Sequence, residues 1–330
     1  MIVEGAKLLV RKSINEHINP RKTTLPFGIA DLGCSIGPNT FLAVHSIIEF
    51  VKLKYEESDV FSPEFQVYFN DQTTNDFNSL LKSLPLDREY YANATPGTFY
   101  ARLFPSASLH VAHCSFSLHW LSRVPVEILD RDSTAYNKGK THYVRAREEV
   151  VRAYANQHVV DFNKFLNARA REIVPGGLLL LVVPARPDGC RHSEAFLNVV
   201  FDALGGCLVD LARKGLIDEE KVDTFNWPIY IASPHELQDV MKQNGHFTIE
   251  KMESLPETEA SDYEPRAASL SVRAVAEEQI RMHFGHEILD QVFELFLEKL
   301  RKNWVRFVSI PEFNLFVLLK RKQNKCPAIN

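Results

Sequence analysis

The chain has 330 residues, of which 45% are hydrophobic and 24% are charged, the composition of an ordinary globular protein. This length allows one large or two modest domains. A chain of this length buries enough surface to fold without stabilising crosslinks. Lys and Arg number 38 and Asp and Glu number 42, so the net charge is −4, which disfavours a nucleic-acid-binding protein.

Cysteine usage and the N-terminus bear on the cellular compartment. The five cysteines form no CxxC pair, so neither a disulfide framework nor a zinc knuckle is predicted. The N-terminal stretch has a weakly amphipathic helical pattern and lacks the apolar core and cleavage site of a signal peptide. The longest apolar run, 176–185, is far shorter than the roughly 20 residues that a membrane span needs. We therefore expect a cytoplasmic protein with no membrane partner.

Strand-like and helix-like segments alternate through the first half of the chain. This alternation favours a mostly parallel sheet covered by helices on both faces. The predicted strands are 27–33, 65–71, 109–114 and 176–183, and the predicted helices are 41–55, a segment that ends near Leu84, and 145–173.

The second half is richer in helix-like segments. We predict helices at 192–215, 234–244 and within 267–303, and strands at 247–255 and 313–322. The fold class is therefore α/β, and a helical cap over the carboxyl ends of a parallel sheet would enclose a small-ligand site. The predicted sheet core is 1–187, 247–255 and 313–330, and the predicted cap is 188–246 and 260–305.

The first predicted strand runs into a glycine-containing turn, Asp31-Leu-Gly-Cys-Ser-Ile-Gly-Pro-Asn39. Its two glycines permit a tight turn and a close approach of backbone to a ligand. The turn matches neither GxGxxG nor GxxxxGK[ST], so a dinucleotide or nucleoside-triphosphate site is weakly supported. It resembles the first motif of S-adenosylmethionine (SAM)-dependent methyltransferases, although a purely structural turn also fits.

The second predicted strand ends at Asn70-Asp71. A carboxylate at this end of a strand can accept hydrogen bonds from both hydroxyls of a ribose. The other interpretation is that Asp71 caps the helical segment that follows. Its position, one strand after the glycine turn, favours the ribose.

Further along the chain, several motifs occur in one order. Together with Asp31–Asn39 they resemble the plant SABATH family of small-molecule carboxyl methyltransferases, from about residue 5 to the end. The motifs are Phe69-Asn-Asp71 with Asn75-Asp-Phe-Asn78, Pro96-Gly-Thr-Phe-Tyr-Ala-Arg-Leu-Phe-Pro105, Cys114-Ser-Phe-Ser-Leu-His-Trp-Leu-Ser122, Ala135-Tyr-Asn-Lys-Gly139 and Val222-Asp-Thr-Phe-Asn-Trp-Pro-Ile-Tyr230.

The resemblance implies a Rossmann-like class I methyltransferase sheet with SAM as the cofactor. It implies ribose contacts at Asp71 and adenine contacts at Phe99. Without it, Phe99 and Phe116 would be interpreted as core residues. The implied cofactor-binding residues are Asp31, Cys34, Asn39, Asp71, Gln72, Thr98, Phe99, Ser115 and Phe116.

The acceptor side is implied by His119-Trp120. In the family, a tryptophan at this position donates its indole N–H to the substrate carboxylate. Salicylate-methylating members carry methionine where this chain has His119, so a more polar acid is expected here; a hydrogen-bonded structural histidine is the alternative. The implied catalytic residues are Trp120 and His119, and further pocket candidates are Trp227, Tyr230, Phe313 and Phe316.

Members of the family often hold Mg²⁺ near the acceptor. The matching ligands here are Asn137, Asp223, the main-chain oxygen of Phe225, and Asn226. These are hard oxygen donors, which Mg²⁺ prefers, and so few carboxylates suggest a weakly bound, structural ion. A loop-capping role for Asp223 and Asn226 fits as well.

The expected reaction is the methylation of a small-molecule carboxylic acid to its methyl ester. Motifs of hydrolases and metalloproteases, GxSxG and HExxH, are absent. A carboxylic acid with a pKa near 4 is ionised at neutral pH, so no general base is needed. We expect a role in plant secondary metabolism.

Two other functions stay open at this stage. Some family members methylate a ring nitrogen of a small heterocycle. The second alternative function is ligand binding without catalysis. It stays open because the leading segment that closes over the site in typical members is not found before the first helix. A homodimer is a further expectation from the resemblance.

Overall fold

The computed structural model describes residues 2–22, 25–256 and 264–323. Its centre is a seven-stranded sheet with the order β3-β2-β1-β4-β5-β7-β6. The first five strands in this order are parallel, and β7 is antiparallel to both of its neighbours. The strands are β1 Phe27–Leu32, β2 Phe65–Asp71, β3 Tyr91–Pro96, β4 Leu109–Ser115, β5 Ile173–Pro184, β6 Phe247–Ser254 and β7 Asn314–Arg321.

Ten α-helices lie in the described residues, and the N-terminal helix and the alternation of the first half are confirmed. The helices are α1 Ile2–His17, α2 Pro38–Glu57, α3 Phe77–Lys82, α4 Glu148–Glu172, α5 Phe196–Arg213, α6 Glu219–Thr224, α7 Pro234–Asn244, α8 Pro265–Phe284, α9 Leu289–Lys302 and α10 Trp304–Val308. None of the helices in this part of the chain is long and apolar enough to cross a membrane.

Helices cover both faces of the sheet. On one face α1 and α2 bury residues such as Ile14 and Val44 against strand residues that include Ile29 and Leu180. On the other face α4 packs its apolar side against β5 and β7. The interior strand β5 is therefore buried on both sides, which explains its continuous apolar sequence.

Helix α7 lies on the α4 side of the sheet. Its residues Leu237, Val240 and Met241 share a core with strands β5 and β7. A capping box begins the helix. The Glu236 N–H donates to the Ser233 hydroxyl, and the Ser233 N–H donates to the Glu236 carboxylate. The sequence prediction placed residues 234–244 in the cap, and the structure differs because the apolar side of α7 faces the sheet.

The remaining helices of the second half have a core of their own. Helices α5, α6, α8, α9 and α10 pack around residues such as Leu204, Ile280, Val292 and Phe296. We keep the name cap for these five helices. The other domain boundaries stay a prediction, and their segments 260–263 and 324–330 lie outside the described residues.

Candidate active site

The loops that follow β1, β2, β3 and β4 lie at one edge of the sheet because these strands are parallel neighbours. The turn after β1 is tied to β2. The N–H groups of Gly33 and Cys34 both donate to the Asn70 carbonyl oxygen, at 2.8 and 2.9 Å. Gly33 has a φ of +79°, and a Cβ there would overlap the Ser117 hydroxyl, so glycine is required at this position.

Asp71 faces this turn from the end of β2. Its Oδ2 accepts the Ser35 N–H at 2.7 Å and its Oδ1 accepts the Gln72 N–H at 2.7 Å. Burial raises the pKa of Asp71, and these two backbone hydrogen bonds oppose the rise. The helix that follows is capped by Asp76, whose carboxylate accepts the Ser79 N–H at 3.0 Å. The capping interpretation of Asp71 is therefore wrong.

Asp31 is only 4% exposed, and both of its carboxylate oxygens have partners. The Nδ1 atom of His113 lies 2.6 Å from Oδ1, and the Thr40 hydroxyl donates to Oδ2. His113 stands opposite Asp31 in the pairing of β1 with β4. Sequence reasoning missed His113 because the register of two strands 82 residues apart cannot be read from local pattern.

The other predicted cofactor residues surround the same edge. Cys34 is buried, and this burial raises the pKa of its thiol far above the usual range. Phe116 has a φ of +54° and its N–H donates to the Val182 carbonyl at 2.9 Å. Asn39 is exposed in the first turn of α2, Gln72 is exposed directly after β2, and Ser115 is half-buried at the end of β4.

The segment 97–104, here called loop 97–104, follows β3. Asn70 holds its start, since Nδ2 donates to the carbonyls of Thr95 at 2.7 Å and Gly97 at 2.9 Å. Thr98 is exposed and the Phe99 ring is half-buried. The hydroxyl of the next residue, Tyr100, donates to the main-chain oxygen of Trp120, so loop 97–104 contacts the predicted acceptor side directly.

His119 and Trp120 are held by a second stretch of chain. The Tyr230 N–H donates to the His119 carbonyl at 2.9 Å, and Trp120 forms an isolated antiparallel bridge with Ile229. The Trp120 ring is partly exposed and meets Phe201 of α5 edge-on, with 5.8 Å between centroids. The predicted acceptor residue Trp120 therefore lies where the sheet meets the cap.

His119 is buried and has an unusual environment. Burial lowers its pKa to about 3, so the imidazole is neutral at physiological pH. Its Nδ1 has no hydrogen-bond partner among the described residues. Buried polar atoms are rarely left unpaired, so this nitrogen is a candidate contact for a ligand.

Of the four remaining pocket candidates, Phe316 lies apart from the other three. Trp227 is fully buried against Phe201, and its Nε1 has no hydrogen-bond partner in the described part of the chain. Tyr230 donates its hydroxyl to Glu236 at 2.6 Å, and Phe313 is half-buried beside the same core. Phe316 is buried on the face covered by α1 and α2, so the structure does not bring it to the other candidates.

A family model supplies the link to known proteins. The model described as SAM dependent carboxyl methyltransferase matches residues 1–322. The chain belongs to this family. The resemblance to SABATH enzymes and the prediction of a SAM-dependent carboxyl methyltransferase are thus confirmed, and SAM is the cofactor of the family. The Rossmann-like fold class is confirmed by the solved methyltransferase structure described next.

Individual carboxyl methyltransferases match nearly the whole chain. The loganic acid O-methyltransferase of Catharanthus roseus is 43% identical, covering 98% of this chain and 89% of the relative. The farnesoic acid carboxyl-O-methyltransferase of Arabidopsis thaliana is 38% identical, covering 97% and 92%. The solved structure of loganic acid methyltransferase with SAH superposes with a TM-score of 0.94, covering 98% of this chain and 94% of that chain at 43% identity.

Three of the predicted metal ligands of this methyltransferase, Asn137, Asp223 and Asn226, lie near one another. Asn137 Nδ2 donates to Asn226 Oδ1 at 2.7 Å, and Asp223 Oδ1 accepts the Gly139 N–H at 2.7 Å. These bonds already close the loop, as the loop-capping interpretation expects. Across residues 2–22, 25–256 and 264–323, no group of three or more His, Cys, Asp or Glu side chains is arranged to hold a metal ion.

A cavity of about 290 Å³ adjoins Asn137. Three of its lining residues are cationic and none is acidic, which is unfavourable for a divalent cation inside it. The lining residues are Tyr136, Asn137, Lys138, Lys140, Arg147 and Val150.

Proposed function

We propose that this protein transfers the methyl group of SAM to the carboxylate of a small, hydroxyl-bearing organic acid and forms its methyl ester. The observation that carries the acceptor class is the unpaired Nδ1 of buried His119 beside the partly exposed Trp120. A hydroxyl of the acid would satisfy this nitrogen, which a hydrocarbon acid would leave without a partner.

Trp120 and His119 orient the acceptor in this proposal. The Trp120 indole N–H donates to one carboxylate oxygen and leaves the other free to attack in line. Bound SAM supplies an activated methyl group together with a neutral thioether leaving group. The acid is already ionised at pH 7, so no side chain has to remove a proton. Alignment at about 3 Å and exclusion of water are the contributions of the protein.

On the cofactor side, we propose contacts from residues at the edge of the sheet. Asp71 keeps lone pairs for the ribose hydroxyls, since each of its oxygens accepts one backbone N–H. Phe99 provides a flat apolar surface for adenine and Thr98 a hydroxyl at its edge. The remaining proposed contacts are Asp31, Cys34, Asn39, Gln72, Ser115 and Phe116.

Transfer of a labelled methyl group from SAM tests the proposal. The panel contains loganic acid, farnesoic acid and a xanthine, and each product is treated with mild base, which cleaves methyl esters and not N-methyl groups. We expect base-labile product and a preference for loganic acid over farnesoic acid. Base-stable product would indicate N-methylation, and SAH binding without any transfer would indicate a non-catalytic relative.

A structural Mg²⁺ is a separate proposal. Asp223, Asn137, Asn226 and the Phe225 carbonyl would hold it, and it takes part in no chemical step. The contact between Asn137 and Asn226 and that between Asp223 and the neighbouring Gly139 support it, because they bring these oxygen-bearing side chains close together. Metal analysis of the purified protein and its melting temperature with and without EDTA test the proposal; equal temperatures and no bound metal contradict it.

A homodimer and a cytoplasmic location are also proposals. They are supported by the family resemblance and by the cysteine pattern, respectively. Light scattering on the purified protein and microscopy of a tagged chain measure them directly.

A further inference from the structure

The last turn of α4 contains a fully buried ion pair. Neither the Arg169 nor the Glu172 side chain has any exposed surface. Arg169 Nε donates to Glu172 Oε2 at 2.7 Å, and the guanidinium lies 5.3 Å from the centroid of the Phe165 ring. Burying two charges costs more than their attraction returns unless further hydrogen bonds satisfy them.

Those further hydrogen bonds all go to loop 97–104. Arg169 donates to the carbonyls of Phe99 at 2.9 Å and Ala101 at 3.1 Å. Glu172 Oε1 accepts the N–H groups of Leu103 at 2.6 Å and Phe104 at 3.1 Å. The loop forms no helix or strand there, so the ion pair supplies partners that regular structure would otherwise provide.

The same pair constrains the Phe99 side chain. Its ring meets Phe165 edge-on with 5.8 Å between centroids, and Phe165 in turn lies beside the Arg169 guanidinium. The Phe99 backbone and ring are therefore both anchored to α4. Only arginine has the planar fork that reaches a carboxylate and two carbonyls at once.

We propose that Arg169 and Glu172 are positioning residues for SAM: they hold loop 97–104 so that Phe99 and Thr98 are ready for the adenine ring before it binds. This inference rests on the proposed adenine contacts. Preorganisation of this kind raises affinity by removing the cost of ordering the loop on binding. Neither charged side chain is among the proposed cofactor contacts.

Calorimetry with two ligands separates positioning from general structural support. SAH carries adenine, whereas S-ribosylhomocysteine shares its ribose and amino-acid ends and lacks the base. We expect Arg169→Lys to raise the Kd of SAH at least about tenfold and to leave that of S-ribosylhomocysteine nearly unchanged. Glu172→Gln keeps an oxygen acceptor for the two N–H groups, so a smaller loss in the same direction is expected.

The matched control is Val240→Ala, a buried truncation in α7, outside loop 97–104 and α4. We expect it to lower the melting temperature and to leave the Kd values of both ligands unchanged. Equal weakening of both ligands by Arg169→Lys, or unchanged SAH affinity in the folded variant, would overturn the inference. If Arg169→Lys does not fold, the selective loss of SAH affinity in Glu172→Gln decides.

The outcome for the wild type separates this inference from the proposed function. SAH binding without methylation of any acid contradicts the acceptor assignment and leaves the positioning role intact. Equal affinity for SAH and S-ribosylhomocysteine removes the adenine contact, and the positioning role is then wrong.

Discussion

The Nδ1 atom of His113 lies 2.6 Å from a carboxylate oxygen of Asp31, and both side chains are buried between strands β1 and β4. Asp31 lies at the start of the glycine turn that we propose as part of the cofactor site. His113 therefore holds a buried carboxylate beside this turn, together with the Thr40 hydroxyl.

His113→Ala removes the partner of Oδ1 of the buried Asp31 carboxylate and leaves only the Thr40 hydroxyl at Oδ2. We expect the free energy of unfolding to fall by about 3 kcal/mol, because breaking a buried pair exposes an uncompensated charge to the apolar interior. Urea unfolding measures this loss, and Asp31→Asn in the same background recovers part of it by removing the charge. If Asp31→Asn makes the His113→Ala variant less stable still, the two side chains do not act as a pair.

Trp120→Phe tests the acceptor side. The phenyl ring can still pack on Phe201, whereas the indole N–H is lost. We expect kcat/KM for the acid to fall about a hundredfold, because the carboxylate is no longer aligned, and the Kd for SAH to stay unchanged. Trp304→Phe, a partly buried tryptophan of α10, is the control and should leave both values unchanged. Equal losses of acid turnover and SAH affinity would make Trp120 a folding residue.

Stability should fall as the solution becomes acidic. Burial lowers the pKa values of His119 and His142 to about 3 and of His158 to about 4, below the ordinary 6.5. The unfolded chain therefore binds more protons than the folded chain below about pH 6.5, and stability is lost from there downward. Each histidine contributes up to about 1.4 kcal/mol per pH unit.

Urea unfolding at pH 7.0, 6.2 and 5.5 measures this dependence, and His158→Phe should make it shallower by about one histidine's contribution. His235→Gln, on the exposed side of α7, is the matched control and should leave the slope as in the wild type. A slope unaffected by His158→Phe would contradict burial of a neutral imidazole at this position.

Much of the sheet could be predicted from local pattern. The continuous apolar run of β5 and the short runs of β1 and β2 carry the signal of strands buried on both faces. Strand β3 carries no such signal, because Tyr91–Pro96 is an edge strand with no fully buried residue and few large apolar side chains. The helical stretch predicted within 267–303 is two helices, separated at Gly285, where φ is +97°.

The candidate site also has one part that could be predicted from the sequence and one part that could not. Motif residues such as Asp71 and Trp120 could be proposed because their spacing in the sequence is distinctive. Their supports could not, since His113 and Arg169 act through partners about 70 or more residues away in the chain. Such contacts depend on strand register and helix docking, which no local pattern encodes.

The contact between Gly33 and Ser117 gives a last prediction. Gly33→Ala meets two obstacles, a φ of +79° and overlap of the new Cβ with the Ser117 hydroxyl. We expect a loss of at least about 2 kcal/mol in unfolding free energy and weaker SAH binding, because the turn must move away from β4.

Ser117→Gly distinguishes the two obstacles. Combined with Gly33→Ala, it removes the overlap and leaves the unfavourable φ, so unfolding free energy and SAH affinity should both recover in part. Calorimetry and urea unfolding on the single and double variants measure the coupling between the two positions. Strictly additive losses would mean that the turn after β1 does not rest on Ser117. A positive coupling energy would show that the contact between Gly33 and Ser117 fixes the position of the turn after β1, at the edge of the sheet where we propose that the cofactor binds.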